Sequence, residues 1–543
     1  MLSLRRLPVL ALALSAAAAA QSPVLTEDHR IESPNTHPTV GFGLEFGVAA
    51  ATLPDGRTVA VAADLSEQRP DGDYTGGAYV YRLEAVGWLP DTGDDGRLPW
   101  AGLDEPGAHD LGRSVALSSG ALGTFAVVGE PRAGLLGPFD PEHGRAQVFR
   151  RLSDGVWTRD TMLVAGASLD VQRGVGKSAA AVEHGGELWA LLGERGSDAF
   201  LFARTPDDAG ALGAWRYEHW LTTPDRPPTN EGDAAVALAS APDALVALIG
   251  DRTLEGPGGD AGGGAHLHER DAETGDWTGP VTLQEVDGDP VTGDRYGRAV
   301  ELAVTAGGDV LAFVSDGFSR VWVYRRLSVG AWELETRLEP SPGPEGYTLG
   351  ASLSVVARPD GSVVVVAGAR WSDHSGLFRP GQAYVFHRSA GGAWTERARL
   401  RAAAPEAFDQ LGRCVSVTAA GRVLVGGPYA GPGADGDHGA VLSYDVSAVV
   451  PVVAEAEPEG ALAALTARPN PARGWLVIEV PAADLAGATL VVYDALGRAV
   501  AERRVPPGGG QTELDVSVWA PGAYVVRVSS AAWARAERVS VVQ

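Results

Sequence analysis

Cysteine and lysine, two residue types with reactive side chains, each occur only once in the sequence. Cys414 is its single cysteine, so no disulfide can form within the chain and packing must hold the fold together. Lys177 is its single lysine, and 69 acidic residues outnumber 44 basic ones, which gives a net charge of −25. Such an acidic surface repels phosphate backbones and argues against a nucleic-acid-binding protein.

Long hydrophobic runs are also missing beyond the N-terminus. No later window holds the roughly 18 apolar residues that a transmembrane helix requires, so no such segment is predicted. The first residues, MLSLRRLPVLALALSAAAAAQ, combine Arg5 and Arg6 with a short apolar run and small residues ending at Ala20. This order predicts a secretory signal peptide over residues 1–20, with a buried N-terminal helix as the alternative.

The usual catalytic signatures are absent. The sequence has no G-x-S-x-G elbow, no H-E-x-x-H helix and no correctly spaced G-K-[ST] loop. An enzyme is therefore unsupported, and no catalytic or organic-cofactor-binding residue is predicted. His266 and His268 alternate on a predicted strand, where they are two metal ligands or, as the pattern favours, ordinary strand residues.

Turn-forming residues and a repeat are what the sequence has in abundance. Its 71 glycines and 36 prolines favour many short strands over long helices. A short motif returns seven times, at intervals of 53 to 65 residues, and such regular spacing indicates a repeat architecture. The glycines of the motif are Gly47, Gly112, Gly176, Gly232, Gly297, Gly350 and Gly412.

Every repeat shows the same order of predicted strands. One strand follows the motif glycine, a more apolar strand comes next, a Gly/Asp/Pro-rich loop leads to a third, and a tryptophan opens a fourth. The tryptophans are Trp88, Trp157, Trp215, Trp277, Trp332 and Trp394. Third strands such as RAQVFRR alternate with the period of a pleated strand. Four antiparallel strands repeated seven times predict an all-β, seven-bladed β-propeller over residues 21–445.

The seventh repeat lacks the tryptophan strand. The segment SPVLTEDHRIES precedes the first motif glycine, where other repeats carry their fourth strand. We therefore predict that residues 23–32 supply the missing strand and lock the ring. The alternative is a disordered tail.

The base that follows the motif glycine has two interpretations. In three repeats an acid follows 17 or 18 residues later, so that Arg113 matches Glu130, Lys177 matches Glu194 and Arg298 matches Asp316. Cross-strand ion pairs are the favoured interpretation. A ring of bases that grips an anionic ligand in the channel is the alternative. Arg413 has Gly427 at the place of the acid.

Acidic loops between predicted strands are candidate calcium sites. The sequences PDGDYTGG, VDGDPVTGD and GADGDHG offer alternating aspartates in glycine-rich loops, and calcium takes several oxygen ligands at close range. The candidate ligands are Asp71, Asp73, Asp287, Asp289, Asp435 and Asp437. None completes an EF-hand loop, and Asp-Gly also serves tight turns without metal. Calcium is the one cofactor that the sequence suggests.

The repeats resemble the FG-GAP repeats of integrin-like propellers. Phe46-Gly47 keeps the opening pair of that family, Leu111 to Ala116 is close to its first strand, and Gly129-Glu130-Pro131 echoes its second. The resemblance implies a propeller fold but is weak for function, and some propellers of this type bind calcium through acidic loops such as those given above. Kelch repeats, with a similar aromatic-to-tryptophan spacing, are the alternative family.

A different pattern begins after the last repeat. Residues 446–466 are rich in Ala, Glu and Pro and are predicted to be a linker. Residues 467–543 alternate as strands do, for example at Leu476, Ile478 and Val480, and predict a small immunoglobulin-like β-sandwich.

This module resembles the type A sorting domain of the type IX secretion system. The matching residues are Pro469, Asn470, Pro471, Tyr493, Asp494, Gly497, Arg498, Pro521, Gly522 and Tyr524. The resemblance implies passage through the periplasm, export by the type IX machinery, and release or attachment at the outer cell surface. A generic immunoglobulin-like domain is the alternative.

These patterns together predict an exported binding or adhesion propeller, with a glycan or an extracellular protein as its ligand. An extracellular hydrolase with a site at the channel mouth is one competing hypothesis. A purely structural envelope protein is the other.

Overall fold

The computed structural model describes residues 22–32, 47–65, 75–93, 95–99, 110–133, 143–165, 174–206, 212–223, 233–254, 262–284, 296–340, 349–430, 439–450, 466–480, 489–493, 499–504, 510–529 and 534–542. The chain divides into two compact units, Met1–Val452 and Val453–Gln543. Its first strands are β1 (Val24–Thr26) and β2 (His29–Glu32). Within the described ranges, no helix is long and apolar enough to cross a membrane.

The first unit is built from repeated four-stranded antiparallel sheets. The first sheet contains β3 (Val48–Thr52), β4 (Thr58–Asp64), β5 (Gly77–Glu84) and β6 (Gly87–Pro90). The second contains β7 (Val115–Gly120), β8 (Gly123–Glu130), β9 (Arg145–Arg151) and β10 (Trp157–Leu163). The third contains β11 (Ser178–His184), β12 (Glu187–Gly193), β13 (Ala199–Pro206) and β14 (Leu212–Leu221). The fourth contains β15 (Ala235–Ser240), β16 (Ala244–Asp251), β17 (Gly264–Asp271) and β18 (Trp277–Leu283).

Three further sheets follow in the same order of strands. The fifth contains β19 (Val300–Val304), β20 (Val310–Ser315), β21 (Val321–Ser328) and β22 (Ala331–Leu338). The sixth contains β23 (Leu353–Ala357), β24 (Val363–Ala369), β25 (Gln382–Arg388) and β26 (Trp394–Arg401). The seventh contains β27 (Cys414–Val417), β28 (Arg422–Gly427) and β29 (Ala440–Asp445).

The N-terminal strands join the last two sheets. β2 pairs antiparallel with β29, with Ile31 opposite Val441, and so becomes the fourth strand of the seventh sheet. β1 adds to the sixth sheet in parallel with β26. The missing fourth strand predicted from residues 23–32 is thus supplied by β2 alone, whereas β1 extends the sixth sheet.

Neighbouring sheets meet through their first strands. β3, β7, β11, β15, β19, β23 and β27 each contact the next in this order, and β27 also contacts β3. Hydrogen bonds support these contacts: Ala50 donates its backbone N–H to Ser416 Oγ at 2.9 Å, and Val417 donates its own to Ser354 Oγ at 3.1 Å. Both faces of the second strands are consequently buried, which explains why those strands are the most apolar in each repeat.

The motif glycine returns because two constraints meet at its position. Gly112 has a φ of +101°, and a Cβ there would lie 2.6 Å from Ala63 Cβ and 2.9 Å from the carbonyl oxygen of Gly77 in the preceding sheet. Gly412 repeats the arrangement, with a φ of +94° and the Gln382 carbonyl oxygen 2.3 Å from the position of a Cβ. Only glycine accepts both the left-handed backbone and the close approach.

The tryptophan of the repeat ties one sheet to the next. Trp394 donates its indole N–H to Glu335 of the preceding sheet at 2.8 Å, and Arg388 donates to the same carboxylate at 2.8 Å. Other junctions repeat this grouping: Asp91 with Arg151 and Trp157, Asp160 with Arg204 and Trp215, and Glu269 with Arg326 and Trp332. The tryptophan begins its strand in several sheets, whereas Trp215 lies inside β14.

The second unit is a small β-structure of its own. Its strands are β30 (Thr466–Arg473), β31 (Trp475–Val480), β32 (Thr489–Tyr493), β33 (Ala499–Arg504), β34 (Gly510–Asp515), β35 (Gly522–Ser529) and β36 (Ala534–Val541). They pair in the order β33-β32-β35-β36-β30-β31-β34. Leu476 and Ile478 are fully buried, as their alternation predicts. The residues just after β29 belong to the first unit, since Val446 and Val450 are buried in the core beside Tyr444.

Candidate anion-binding site

A cavity of about 730 Å³, the central cavity, lies among the first strands of the sheets. All seven of these strands, β3, β7, β11, β15, β19, β23 and β27, contribute to its wall. Alanine, valine and serine form most of that wall, because the first strands are short and small-residue-rich. Because these side chains are small, the charged side chains of the wall are the groups that a ligand would contact.

Positive charge dominates these side chains. Six bases line the central cavity: Arg113, Lys177, Arg252, Arg298, Arg370 and Arg413. Two acids join them among the described lining residues, Asp233 and Glu301. In a chain with a net charge of −25, this concentration of bases is a local reversal of sign.

Asp233 forms ion pairs with two of the bases. Arg113, from the start of the second sheet, lies 3.2 Å from one carboxylate oxygen, and Lys177, from the third, lies 3.3 Å from the other. Burial raises the pKa of Asp233, but the charges of Lys177 and Arg113 outweigh burial, so the pKa lies below its ordinary value. These contacts bring the starts of three first strands together at one end of the cavity.

The sequence led us to expect Glu130 as the partner of Arg113. In the structure Glu130 is fully buried and accepts hydrogen bonds from Arg145 at 2.6 Å and Gln147 at 2.7 Å. Asp316 accepts backbone N–H groups of residues 318–320 in the turn that follows it. The ion pairs within single sheets stay predictions.

Sequence reasoning missed two of the lining bases, Arg252 and Arg370. Arg370 is the more informative of the two. Its side chain is buried, with a residue exposure of 6%, yet its Nε and Nη1 atoms have no hydrogen-bond partner among the described residues. Its guanidinium lies 4.4 Å from the centre of the Trp371 ring. A signal was present, because the second strands of repeats three and four end in Gly-Glu-Arg and Gly-Asp-Arg, whereas that of repeat six ends in Gly-Ala-Arg. Repeat six therefore has the arginine, but Ala369 stands where the other two repeats have an acid.

Glu301 is the second acid on the wall of the central cavity. It lies on β19 at the place that Ala116 takes on β7, and its side chain is partly exposed. Burial raises the pKa of Glu301 to about 8. The group therefore keeps a proton at neutral pH.

The six calcium candidates fall outside the described residues, so calcium binding stays a prediction. Among the residues that are described, no three His, Cys, Asp or Glu side chains are grouped closely enough to hold a metal ion. His266 is fully buried beside Thr282, 3.1 Å from its hydroxyl, and burial lowers the pKa of His268 to about 4. Cys414 packs in the core, where burial raises its pKa to about 12.

The sorting-motif residues are only partly described. Pro469, Asn470 and Pro471 lie within β30, Tyr493 ends β32, and Gly522 begins β35 after the exposed Pro521. The Tyr524 hydroxyl donates to the Ala520 carbonyl oxygen at 2.7 Å, and its ring lies 5.0 Å from that of Trp519. Asp494, Gly497 and Arg498 are outside the described residues.

Residues 467–541 match the family model of the secretion system C-terminal sorting domain. This is the sorting domain of the type IX system, and it indicates that the chain is exported to the cell surface or beyond it. No curated protein matches the chain.

Solved structures with a similar fold include three fungal proteins. An alcohol oxidase of the AA5 family in complex with copper is 14% identical. The match covers 93% of this chain and 98% of the oxidase chain, with a TM-score of 0.42. The Aleuria aurantia lectin, described as a six-bladed β-propeller, is 12% identical over 68% of this chain and 99% of its own, at 0.36. A Penicillium chrysogenum α-L-arabinanase complexed with arabinobiose is 12% identical over 78% and 99%, at 0.38. Likeness at this level carries no argument on ligand or activity.

Proposed function

We propose that this chain is an exported binding protein whose first unit is a closed, seven-bladed β-propeller with an anion-binding central cavity. Closure is supported by the contact between β27 and β3 and by the pairing of β2 with β29. A ring fastened by its N-terminal strand has fewer free sheet edges. FG-GAP ancestry for the blades, an immunoglobulin-like sandwich for the second unit and a cleaved signal peptide are parts of the same proposal.

The burial of Arg370 beside the cavity carries the assignment of an anionic ligand. A guanidinium stays charged at any physiological pH, and burying one whose Nε and Nη1 atoms lack hydrogen bonds is costly. A carboxylate, sulfate or phosphate group in the central cavity would compensate the positive charge of this guanidinium, which lines the cavity. The neighbouring bases add a favourable field around that anion.

Calorimetry on the full chain tests this proposal. We expect glucuronate and inorganic sulfate to bind, and Arg370→Met to weaken binding by roughly 10- to 100-fold, since hydrogen bonds to charged groups contribute about 1.5–3 kcal/mol. The control is Arg57→Met, because Arg57 lies on the surface in a pair with Asp55. Equal affinities for both variants, or no binding to the unmodified chain, would contradict the proposal.

Glu301 favours hydrolysis as a second candidate function. A carboxyl group with a pKa near 8 holds the proton that a general acid must deliver to a leaving group. If the chain is a hydrolase, it should release nitrophenol from a panel of nitrophenyl glycosides and glycuronides, and Glu301→Gln should abolish that release. An inactive unmodified chain would leave binding as the function.

A further inference from the structure

One row of stacked side chains, the cation–aromatic ladder, begins inside the central cavity. The Arg370 guanidinium lies 4.4 Å from the Trp371 ring centre, and the Arg379 guanidinium lies 5.3 Å from the centre of the same ring. Arg379 also lies 4.6 Å from the ring centre of Phe378, which in turn lies 5.3 Å from that of Phe408. Guanidinium groups and aromatic rings therefore follow one another in a continuous series.

The ladder runs from a buried end to an exposed one. Arg370 has an exposure of 6%, whereas Phe378 and Phe408 have exposures of 49% and 51%. Only its inner end lines the central cavity. A ligand held by Arg370 could therefore extend outward over the rest of the ladder.

The outer end of the ladder has a strained backbone that hydrogen bonds hold in place. Arg379 has a φ of +53° and Phe408 a φ of +71°, both in the region that side chains other than glycine seldom adopt. Hydrogen bonds fix the two loops together: Phe408 N–H donates to the Phe378 carbonyl oxygen at 3.0 Å, and Gln410 N–H donates to that of Arg379 at 3.3 Å. Strain of this kind clusters at ligand clamps, and here it falls on Arg379 and Phe408, neither of which belongs to the buried core.

We propose that the ladder binds an acidic oligosaccharide, with one carboxylate on Arg370 and successive sugar rings along Trp371, Arg379 and the two phenylalanines. This inference rests on the proposed function and gives its ligand a chemical class. A chain of uronate sugars alternates carboxylates with flat C–H faces, which matches the alternation of guanidinium groups and rings. Acidic peptides carry their charges on flexible side chains and lack such rigid apolar faces.

The test compares ligand length and charge on the full chain by calorimetry. Its probes are monomeric galacturonate, a linear tetramer of galacturonate, the methyl-esterified tetramer and tetraglutamate. We expect the charged tetramer to bind about tenfold more tightly than the monomer, because aromatic contacts of this kind change affinity by up to about that factor. Esterification should abolish most of the binding.

Variants then separate the two ends of the ladder. Phe408→Ala should remove roughly tenfold in affinity for the tetramer and leave monomer affinity unchanged. The matched control is Tyr217→Ala, which removes another half-exposed aromatic ring, on β14. Melting temperatures verify that each variant folds, and Phe408→Leu provides a milder change if alanine unfolds the loop.

The outcomes distinguish the ladder from the cavity. If Arg370→Met abolishes monomer binding but the tetramer gains nothing, the ladder is wrong and the anion site stands. Equal effects of Phe408→Ala and Tyr217→Ala on the tetramer, or equally tight Phe408-dependent binding of tetraglutamate, would also overturn the oligosaccharide. A chain that binds none of the charged probes contradicts the proposed function itself.

Discussion

At the scale of single residues, the wall of the central cavity tolerates little change. The motif glycines beside it admit no side chain, and several charged groups lie on the wall itself. A substitution there acts through contact distance or through the cost of burying charge, and each effect can be isolated with a matched variant.

Gly412→Ala tests how much the close approach of neighbouring backbone atoms contributes to the need for glycine at this position. The new Cβ would lie 2.3 Å from the Gln382 carbonyl oxygen and 2.8 Å from the Ala369 nitrogen, so the backbone of β24 or β25 must shift. Gly308→Ala is the control, because Gly308 has a φ of +89° but open space around it. We expect Gly412→Ala to lower the free energy of unfolding by about 1–3 kcal/mol more than the control does, as measured by urea denaturation. Equal losses would mean that φ alone selects glycine.

Glu301→Gln isolates the effect of burying a charge. The pKa of Glu301 rises from an ordinary 4.5 to about 8 on folding, so the folded chain holds a proton that the unfolded chain has already released. Stability from this group is full below pH 4.5 and falls as the pH rises toward 8. Urea midpoints between pH 5 and 9 should decline less steeply in Glu301→Gln than in the unmodified chain. Parallel declines would show that Glu301 ionises freely.

At the scale of strands and sheets, the periodic signals predicted what they physically control. Alternation and the tryptophan spacing predicted the strands because burial repeats with the pleat. The missing fourth strand of the seventh repeat pointed to residues 23–32, of which β2 supplies it. The partners of Arg113 and Lys177 did not follow from spacing, because Asp233 reaches them across sheets rather than along one hairpin. Arg370 was missed for a similar reason: its significance depends on a neighbour, Ala369, that lacks charge.

The N-terminal strand offers a test at this scale. Ile31 has an exposure of 3% and packs in the core that joins the first and seventh sheets. We expect Ile31→Ala to destabilise the chain by about 2–5 kcal/mol, since the cavity it leaves is lined by strands from both ends of the repeat series. Val24→Ala is the control, because Val24 is 50% exposed on β1 and should change stability by less than about 0.5 kcal/mol. A thermal shift no larger than that of the control would contradict fastening by β2.

At the scale of the whole chain, the two compact units are expected to have separate functions, binding for the first and export for the second. The second unit has its own buried core, which includes Leu476, Ile478 and Tyr524, and matches the sorting family from residue 467 to 541. The first unit gathers six bases around the central cavity while the chain as a whole is strongly acidic. Binding and export should therefore be separable by truncation.

Deleting residues 467–543 tests that separation. Because the sorting domain has a core of its own, its removal should leave the first unit folded, with an unchanged affinity for glucuronate and an unchanged melting temperature. Export should fail, and the truncated chain should accumulate in the periplasm of a host with the type IX system, as measured by immunoblots of cell fractions. The control is Val518→Ala, since Val518 is 84% exposed and should leave export intact. Undiminished surface or extracellular protein after the deletion would mean that the first unit carries an export signal of its own.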